Sequence, residues 1–502
     1  MKNLLLAIEA VLYLTGASCI EELDEDLLSR FERLETFPVK INYCTKEYLV
    51  ESGLVSIYQA ASLIEYRDRT GGILSITELG LIDGYCPALA EALSPFISLD
   101  MVQSDSPGRQ GHRRRTLTVS GADKVKECGK WSGSALFSYE DGQCGANVGV
   151  KYSDNIDGSV SAIFRGVGIL RKFVLGDYNL RYGQGAALWN GFQLGGLPTV
   201  EAVCRKPTGI SPGSSRSRGD KHRGAALGLA LGNFTTDLFY SYGELIGADI
   251  GFTGRSISVD MLCFNESGMM TASLSGRGSL NGIDLFAEAA FRPADRALNA
   301  VAGTLWNIGY RISVAARASV SGEKMQASFG ARYKEHSITA DWNGRYLKCI
   351  YNGSLSILPD DARARAALKA RAVAKYQENW KYDLRIDART GISGFELNGR
   401  YDIVFGKSTA WLWYLEAGYR ENGLQLYIRG GLFKIDEWDD RIYVYERDAP
   451  PSFNVPAYYG RGWNASAVLA WKGLHVRVGI TRYPGSEKVP TSELKLQYKF
   501  EW

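Results

Sequence analysis

The last strand of the chain alternates without a break. Leu494, Leu496, Tyr498, Phe500 and Trp502 are apolar, and Lys495, Gln497, Lys499 and Glu501 between them are polar. A period of two places the two sets on opposite faces of a β-strand. A soluble sandwich can produce such a strand, but it gives no reason for the final residue to be the outermost aromatic. In an outer-membrane barrel the apolar face meets lipid, the polar face meets the lumen, and aromatic residues ring the interfaces. The pattern predicts a membrane barrel.

The same alternation recurs upstream. Leu285, Ala287, Ala289 and Phe291 alternate with Asp284, Phe286, Glu288 and Ala290, and Leu384, Ile386 and Ala388 alternate with Asp383, Arg385, Asp387 and Arg389. Leu424, Leu426, Ile428 and Leu432 alternate with Gln425, Tyr427 and Arg429, and Leu474, Val476, Val478 and Ile480 with His475, Arg477 and Thr481. A buried sandwich core would not need charges to recur on one face; a polar lumen would. Roughly twenty such segments are expected between 115 and 502, within the range of such barrels. The weakest is 359–378, where the Ala- and Arg-rich DARARAALKARAVAKY would also suit a helix. The 56 glycines, about 11% of the chain against a usual ~7%, fit many strands joined by tight turns.

Charge divides the chain. Residues 1–100 hold 16 acidic and 7 basic residues, a net of −9, which leaves 39 acidic and 51 basic, a net of +12, for the other 402. Residues 1–19, with Lys2, an apolar run around Leu4–Leu14 and small residues at 16–18, read as a signal peptide interrupted by Glu9. Cys19 leaves a lipidation alternative, although Gly16 stands where Leu is usual. No later segment approaches the ~20 apolar residues of a membrane helix, so membrane insertion requires a closed barrel.

Residues 20–100 read as a small all-α domain. The acidic segment 21–36 carries Leu23, Leu27, Leu28, Phe31 and Leu34 at roughly helical spacing; further helices are expected at 46–52 after Thr45, at 56–69 and at 87–97 behind Pro87. The polar, basic stretch 101–114 reads as a linker, and the Gly-, Ser- and Pro-rich stretch 190–220 as an extracellular loop or a plug in the lumen. Of eight cysteines, Cys128 and Cys144 flank one expected hairpin and could pair; none has metal-like spacing, and no metal or cofactor is expected.

Residues 41–97, with Ile64-Glu65-Tyr66-Arg67 followed by Gly71, Gly72 and Leu79, resemble the tandem helix-hairpin-helix domain of bacterial DNA-uptake competence proteins. GDYNLRYGQGAALWNG (176–191) and RIYVYERDAPPSFNVPAYYGRG (441–462) resemble a family of bacterial outer-membrane proteins that join this domain to a barrel. The aromatic C-terminus resembles the signal read by the barrel-assembly machinery, and the resemblance implies that machinery and outer-membrane lipid as partners. Helix-hairpin-helix units hold phosphate on backbone N–H groups of a Gly-hydrophobic-Gly hairpin at a helix N-terminus. Here those positions read Leu54, Val55 and Ser56 in the first hairpin and Gly84, Tyr85 and Cys86 in the second. Ile57, Tyr58, Pro87 and Ala88 stand where basic residues are expected, and an acidic domain lacks the main driving force for DNA binding. A periplasmic protein contact or a plug role is the reading preferred over DNA.

Within GDYNLRYGQG, Asp177, Arg181 and Gln184 are candidates for a lumenal polar cluster, with Trp189 at the membrane boundary; a set that fixes strand register is the plainer alternative. Tyr443, Tyr445, Glu446, Arg447 and Asp448 are expected in an ordered turn. No enzyme is expected. The four histidines are scattered, and Phe405-Gly406-Lys407-Ser408-Thr409 lacks the first glycine of a phosphate loop and precedes a strand. The function expected is a channel or an envelope-assembly scaffold, with a DNA-uptake receptor as the alternative.

Overall fold

The computed structural model describes residues 30–31, 34–35, 38–44, 46–55, 57–82, 85, 87–100, 114–124, 131–141, 143–166, 168–190, 197, 199–243, 245–254, 257–280, 282–308, 311–361, 364–421, 423–449, 454–485 and 489–502. The expected signal peptide, Cys19, most of the 21–36 helix and nearly all of the linker lie outside them.

Antiparallel strands from Arg114–Lys124 to Thr491–Glu501 form one closed barrel of 24 strands. Closure is made by the two end strands: Tyr498 pairs with Val119 and Leu496 with Gly121, and the backbones of Arg115 and Trp502 exchange hydrogen bonds. The count exceeds the roughly twenty expected because several strands are short, such as His336–Trp342, or carry small residues that blur the period, such as Met269–Leu280. The ambiguous Ala- and Arg-rich stretch is not helical. It forms the paired strands Leu347–Asp361 and Ala364–Gln377, because its alanines alternate with lysine and arginine across the sheet.

The two faces differ in kind. On Ile283–Arg292, Leu285 and Phe291 are exposed while Phe286, Glu288 and Ala290 are buried inside. On Asn379–Ile392, Trp380, Tyr382, Leu384, Ile386 and Ile392 point outward between inward Lys381, Asp383, Arg385, Asp387 and Arg389. Arg114 and Trp502 mark the near end of the barrel. Most turns at both ends are short, and the two long excursions, 182–221 and 436–459, both leave the far end.

One strand parts from its neighbour at a glycine. Gly176 has φ +89, and a Cβ there would sit 2.2 Å from the Val160 carbonyl, so only glycine fits. Pairing with Ile156–Arg165 stops at Gly176, and beyond it Leu170–Arg181 pairs instead with the short strand Gly209–Pro212 of the excursion.

The N-terminal segment has its own apolar core, including Leu49, Leu54, Leu63, Ile73, Leu79, Leu93 and Phe96. Its helices are Lys46–Glu51, Ile57–Thr70, Ile76–Leu79 and Pro87–Leu93. It is not purely helical as expected: Val39–Lys40 and Ile97–Ser98 pair in parallel. The helix from Pro87 stops at Leu93 rather than running to 97, since Pro95 disfavours helical geometry at Ser94 and leaves a 3₁₀ turn. Ser75 caps the Glu78 N–H while the Glu78 carboxylate accepts from Leu74 N–H, which holds the carboxyl below its usual range.

Cys144 is a free thiol. The ten-residue strand Trp131–Glu140 spans ~33 Å and separates it from Cys128, which lies outside the described residues. The pairing left open by the sequence therefore falls outside the described residues.

Candidate functional site

The lumen is crossed by the two excursions, and each is fastened by charged wall residues far away in sequence. In the first, Tyr182 begins a turn through Gly183 and Gly185, both at positive φ. The Glu288 carboxylate accepts hydrogen bonds from the backbone N–H groups of Gln184 (2.5 Å), Ala186 (3.0 Å) and Ala187 (3.1 Å). A Cβ at Gly183 would meet that carboxylate at 2.6 Å, which explains the glycine. Further along, Leu197 N–H donates to Asp341 (2.7 Å) and Arg277 donates to the Arg205 carbonyl. The return arm crosses to the other wall: Ser161 donates to the Gly213 carbonyl, and Arg216 donates to Gln497 (3.4 Å). The loop therefore touches both sides of the barrel.

The second excursion is held by ion pairs. Glu416 is gripped by Arg429 (2.6 Å) and Arg447 (2.9 Å), whose guanidinium groups lie 4.1 Å from the Tyr414 ring and 3.6 Å from the Tyr427 ring. Glu446 pairs with Arg477 and accepts from Tyr458, and Asp448 pairs with Lys495 (2.5 Å). These contacts confine the turn expected at 443–448 within the lumen. At the rim, hydrogen bonds from Arg461 and Lys407 hold the Asp436 and Asp439 carboxyls below their usual range.

Both excursions meet the N-terminal segment. Lys206 donates to the Leu54 carbonyl (3.0 Å), and Tyr445 packs on the segment's apolar core. Tyr445 and Arg205 each offer their backbone carbonyl to an inward arginine of the wall, Arg429 and Arg277. Arg277 stands three residues from the near end of its strand Met269–Leu280. The helical segment thus docks where the loops have descended through the lumen.

The candidate residues scatter. Asp177 is buried and pairs with Arg223 (2.7 Å), not Arg181, and it accepts from Val160 N–H, filling the gap where its strand parts from Ile156–Arg165. Arg181 donates to the Asn190 carbonyl, and Gln184 contacts Arg205 and Cys204. The three are buried but form no single cluster. The Trp189 ring has the guanidinium groups of Arg181 at 6.0 Å and Arg205 at 5.2 Å from its centroid.

In the first hairpin, Leu54 and Val55 are buried, and the Leu54 N–H donates to Ser52. Tyr85 is buried, its hydroxyl pushed well above its usual pKa by burial, and it donates to the Gln59 carbonyl. Ser56, Gly84 and Cys86 lie outside the described residues, as does the Tyr58 side chain.

One motif escaped the sequence reading. Gly209-Ile210-Ser211-Pro212-Gly213 fits G-x-S-x-G, but it lies on a short strand rather than a strand-to-helix turn. The Ser211 hydroxyl is buried with no hydrogen-bond partner among the described residues, so no histidine is placed to activate it. Glu288, Asp341, Arg277 and Arg429 were also missed as anchors, since alternation marks them only as inward. Among the described residues, no group of His, Cys, Asp and Glu could hold a metal.

No protein-family model and no curated protein matches the chain. Among solved structures, the chain is similar to the Pseudomonas aeruginosa outer membrane protein OpdK at 11% identity and a TM-score of 0.29, covering 78% of this chain and 99% of OpdK. It is similar to P. aeruginosa OccK3 (OpdO) at 12% identity and a TM-score of 0.32, covering 78% and 96%. Acinetobacter baumannii OccAB3 follows at 10% identity and a TM-score of 0.30, covering 78% and 100%. Likeness this distant leaves the function to the residues themselves.

Proposed function

We propose that the protein is a non-enzymatic outer-membrane channel, narrowed by two inward loops and stoppered by its N-terminal helical segment. The observation that carries this reading is a closed barrel with an apolar outside and a charged inside. Rows of exposed Trp, Tyr, Leu and Ile around a barrel are costly in water and favourable in lipid. Closure leaves no sheet edge unpaired in the bilayer. With both barrel ends of the chain at one rim, that rim is periplasmic, and the helical segment enters from there.

The helical segment is, on this reading, a helix-hairpin-helix module used for protein contact. Its first hairpin spends its Leu54 carbonyl on Lys206 and its Leu54 N–H on Ser52, not on phosphate. Lipid and the barrel-assembly machinery are the remaining partners. Fractionation with the outer membrane and heat-modifiable migration on a gel are the expected results. Recovery of the full chain as a soluble monomer without detergent would rule the reading out.

A further inference from the structure

A cavity of about 280 Å³ lies at the far end of the barrel, between the return arm of the second excursion and the strands Gly460–Trp471, Leu474–Arg482 and Thr491–Glu501. Register explains why the wall is hollow there. Arg477 is buried on the inner face, and two residues on Gly479 takes the same face with no side chain. A Cβ at Gly479 would meet only the Arg477 guanidinium, at 3.6 Å, and its φ is not positive. One step nearer the rim, Asn464, Thr481 and Thr491 stand directly opposite one another on the three strands. The excursion contributes Glu446, Asn454 and Tyr458 to the lining, and Tyr483 stands beside them. Thr481, Tyr483 and Thr491 are partly exposed while Arg477 and Glu446 are buried, so the cavity opens at the rim and closes below.

The charges around the cavity neutralise one another. Arg477 binds Glu446 and Glu493, the latter at 2.6 Å, and Lys495 reaches Asp448 (2.5 Å) and Glu493 (3.5 Å). The Asn454 and Asn464 amides donate to Glu446 at 3.0 and 3.4 Å, which leaves each carbonyl oxygen to accept. The Thr481 and Thr491 hydroxyls have no hydrogen-bond partner among the described residues, and each can both donate and accept. The rings of Tyr458 and Tyr483 pack on Phe433 with centroids 5.0 and 5.8 Å away, which fixes two aromatic groups beside these polar ones. A free anion here would meet Glu446 and Glu493, and a free cation would meet Arg477 and Lys495. A neutral solute rich in hydroxyls meets neither penalty and matches the amides, hydroxyls and rings. The volume falls just below the ~300–1,000 Å³ of sites for drug-sized ligands, a size suited to one sugar ring.

We propose that this cavity binds a neutral monosaccharide at the outer mouth of the barrel. Asn464, Thr481 and Thr491 hold its hydroxyls, and Tyr458 and Tyr483 meet the C–H face of its ring. The site goes beyond the channel reading: it takes from that reading only which end faces outward, and it needs no current through the lumen.

The test uses the full chain in micelles of lauryldimethylamine oxide, a detergent whose headgroup carries no sugar. Saturation-transfer NMR is read from the protein to glucose, galactose, xylose and N-acetylglucosamine, each added alone. The expected result is transfer to at least one of the four. It should fall several-fold in Gly479→Leu, whose side chain fills the cavity, and in Thr481→Val/Thr491→Val, which keeps the shape and removes the hydroxyls. Heat-modifiable migration shows which variants are folded barrels; should Gly479→Leu lose it, the double valine variant decides. Transfer to none of the four sugars overturns the proposal, and so does transfer that the folded variants leave unchanged. Stronger transfer to glucuronate than to glucose also overturns it, because the site would then favour an anion. Transfer that the variants abolish, in a chain found soluble without detergent, keeps the sugar site and removes the channel.

Discussion

Replacing Glu288 tests how the first loop is held. Its carboxylate serves three backbone N–H groups, those of Gln184, Ala186 and Ala187, and among the described residues no other side chain accepts from those amides. An amide left without an acceptor in a buried site costs about 1–3 kcal/mol. Three amides at the lower figure give about 3 kcal/mol for Glu288→Ala, and at about 1.4 kcal/mol per tenfold that is roughly 100-fold. Glu288→Gln keeps the volume but turns an amide group toward N–H donors, so it should fall between wild type and Glu288→Ala. The assay is hydrogen exchange by mass spectrometry on peptides covering 183–190 in purified protein. The expected result is exchange at those amides about 100-fold faster in Glu288→Ala, with the strand Leu424–Ile435 unchanged. Identical exchange in the two proteins would refute the anchoring role.

Three further outcomes are expected. The Cys44 thiol is pushed up to about 12 by burial, against the opposing pull of Arg67, so it should resist alkylation at pH 8 until the chain is unfolded; native labelling at the rate of an unfolded peptide would contradict this. Asp436 and Asp439 titrate below their unfolded value of ~3.9, so their contribution is complete above that pH and is lost as pH falls through the lower folded values; Trp438 fluorescence should be flat from pH 7 to 5 and change only below about 4. Gly183→Val, which would place side-chain carbon against Glu288 at positive φ, should release the loop much as Glu288→Ala does, read by the same exchange experiment.

The barrel was legible because one physical constraint repeats along the sequence: each strand must show lipid one face and the lumen the other. Leu285 and Glu288 could be assigned to opposite faces without knowing any neighbour. The strand count was less legible, since Ser275, Gly276 and Gly278 carry little contrast between faces. The lumen was legible least of all. Glu288 meets Gln184 across a separation of 104 residues and Leu197 meets Asp341 across 144, and no local pattern encodes such pairings. The glycines of the GQG turn are plain in the sequence, yet the reason for Gly183 lies in the carboxylate beside it.

Single-channel conductance of the full chain against residues 114–502 bears most directly on the stoppered channel. All barrel pairings lie within 114–502, so the shortened chain retains every strand. The expected result is little or no current from the full chain and steady, larger current from the shortened one. Equal currents from the two, or none from a shortened barrel that still shows heat-modifiable migration, would contradict it.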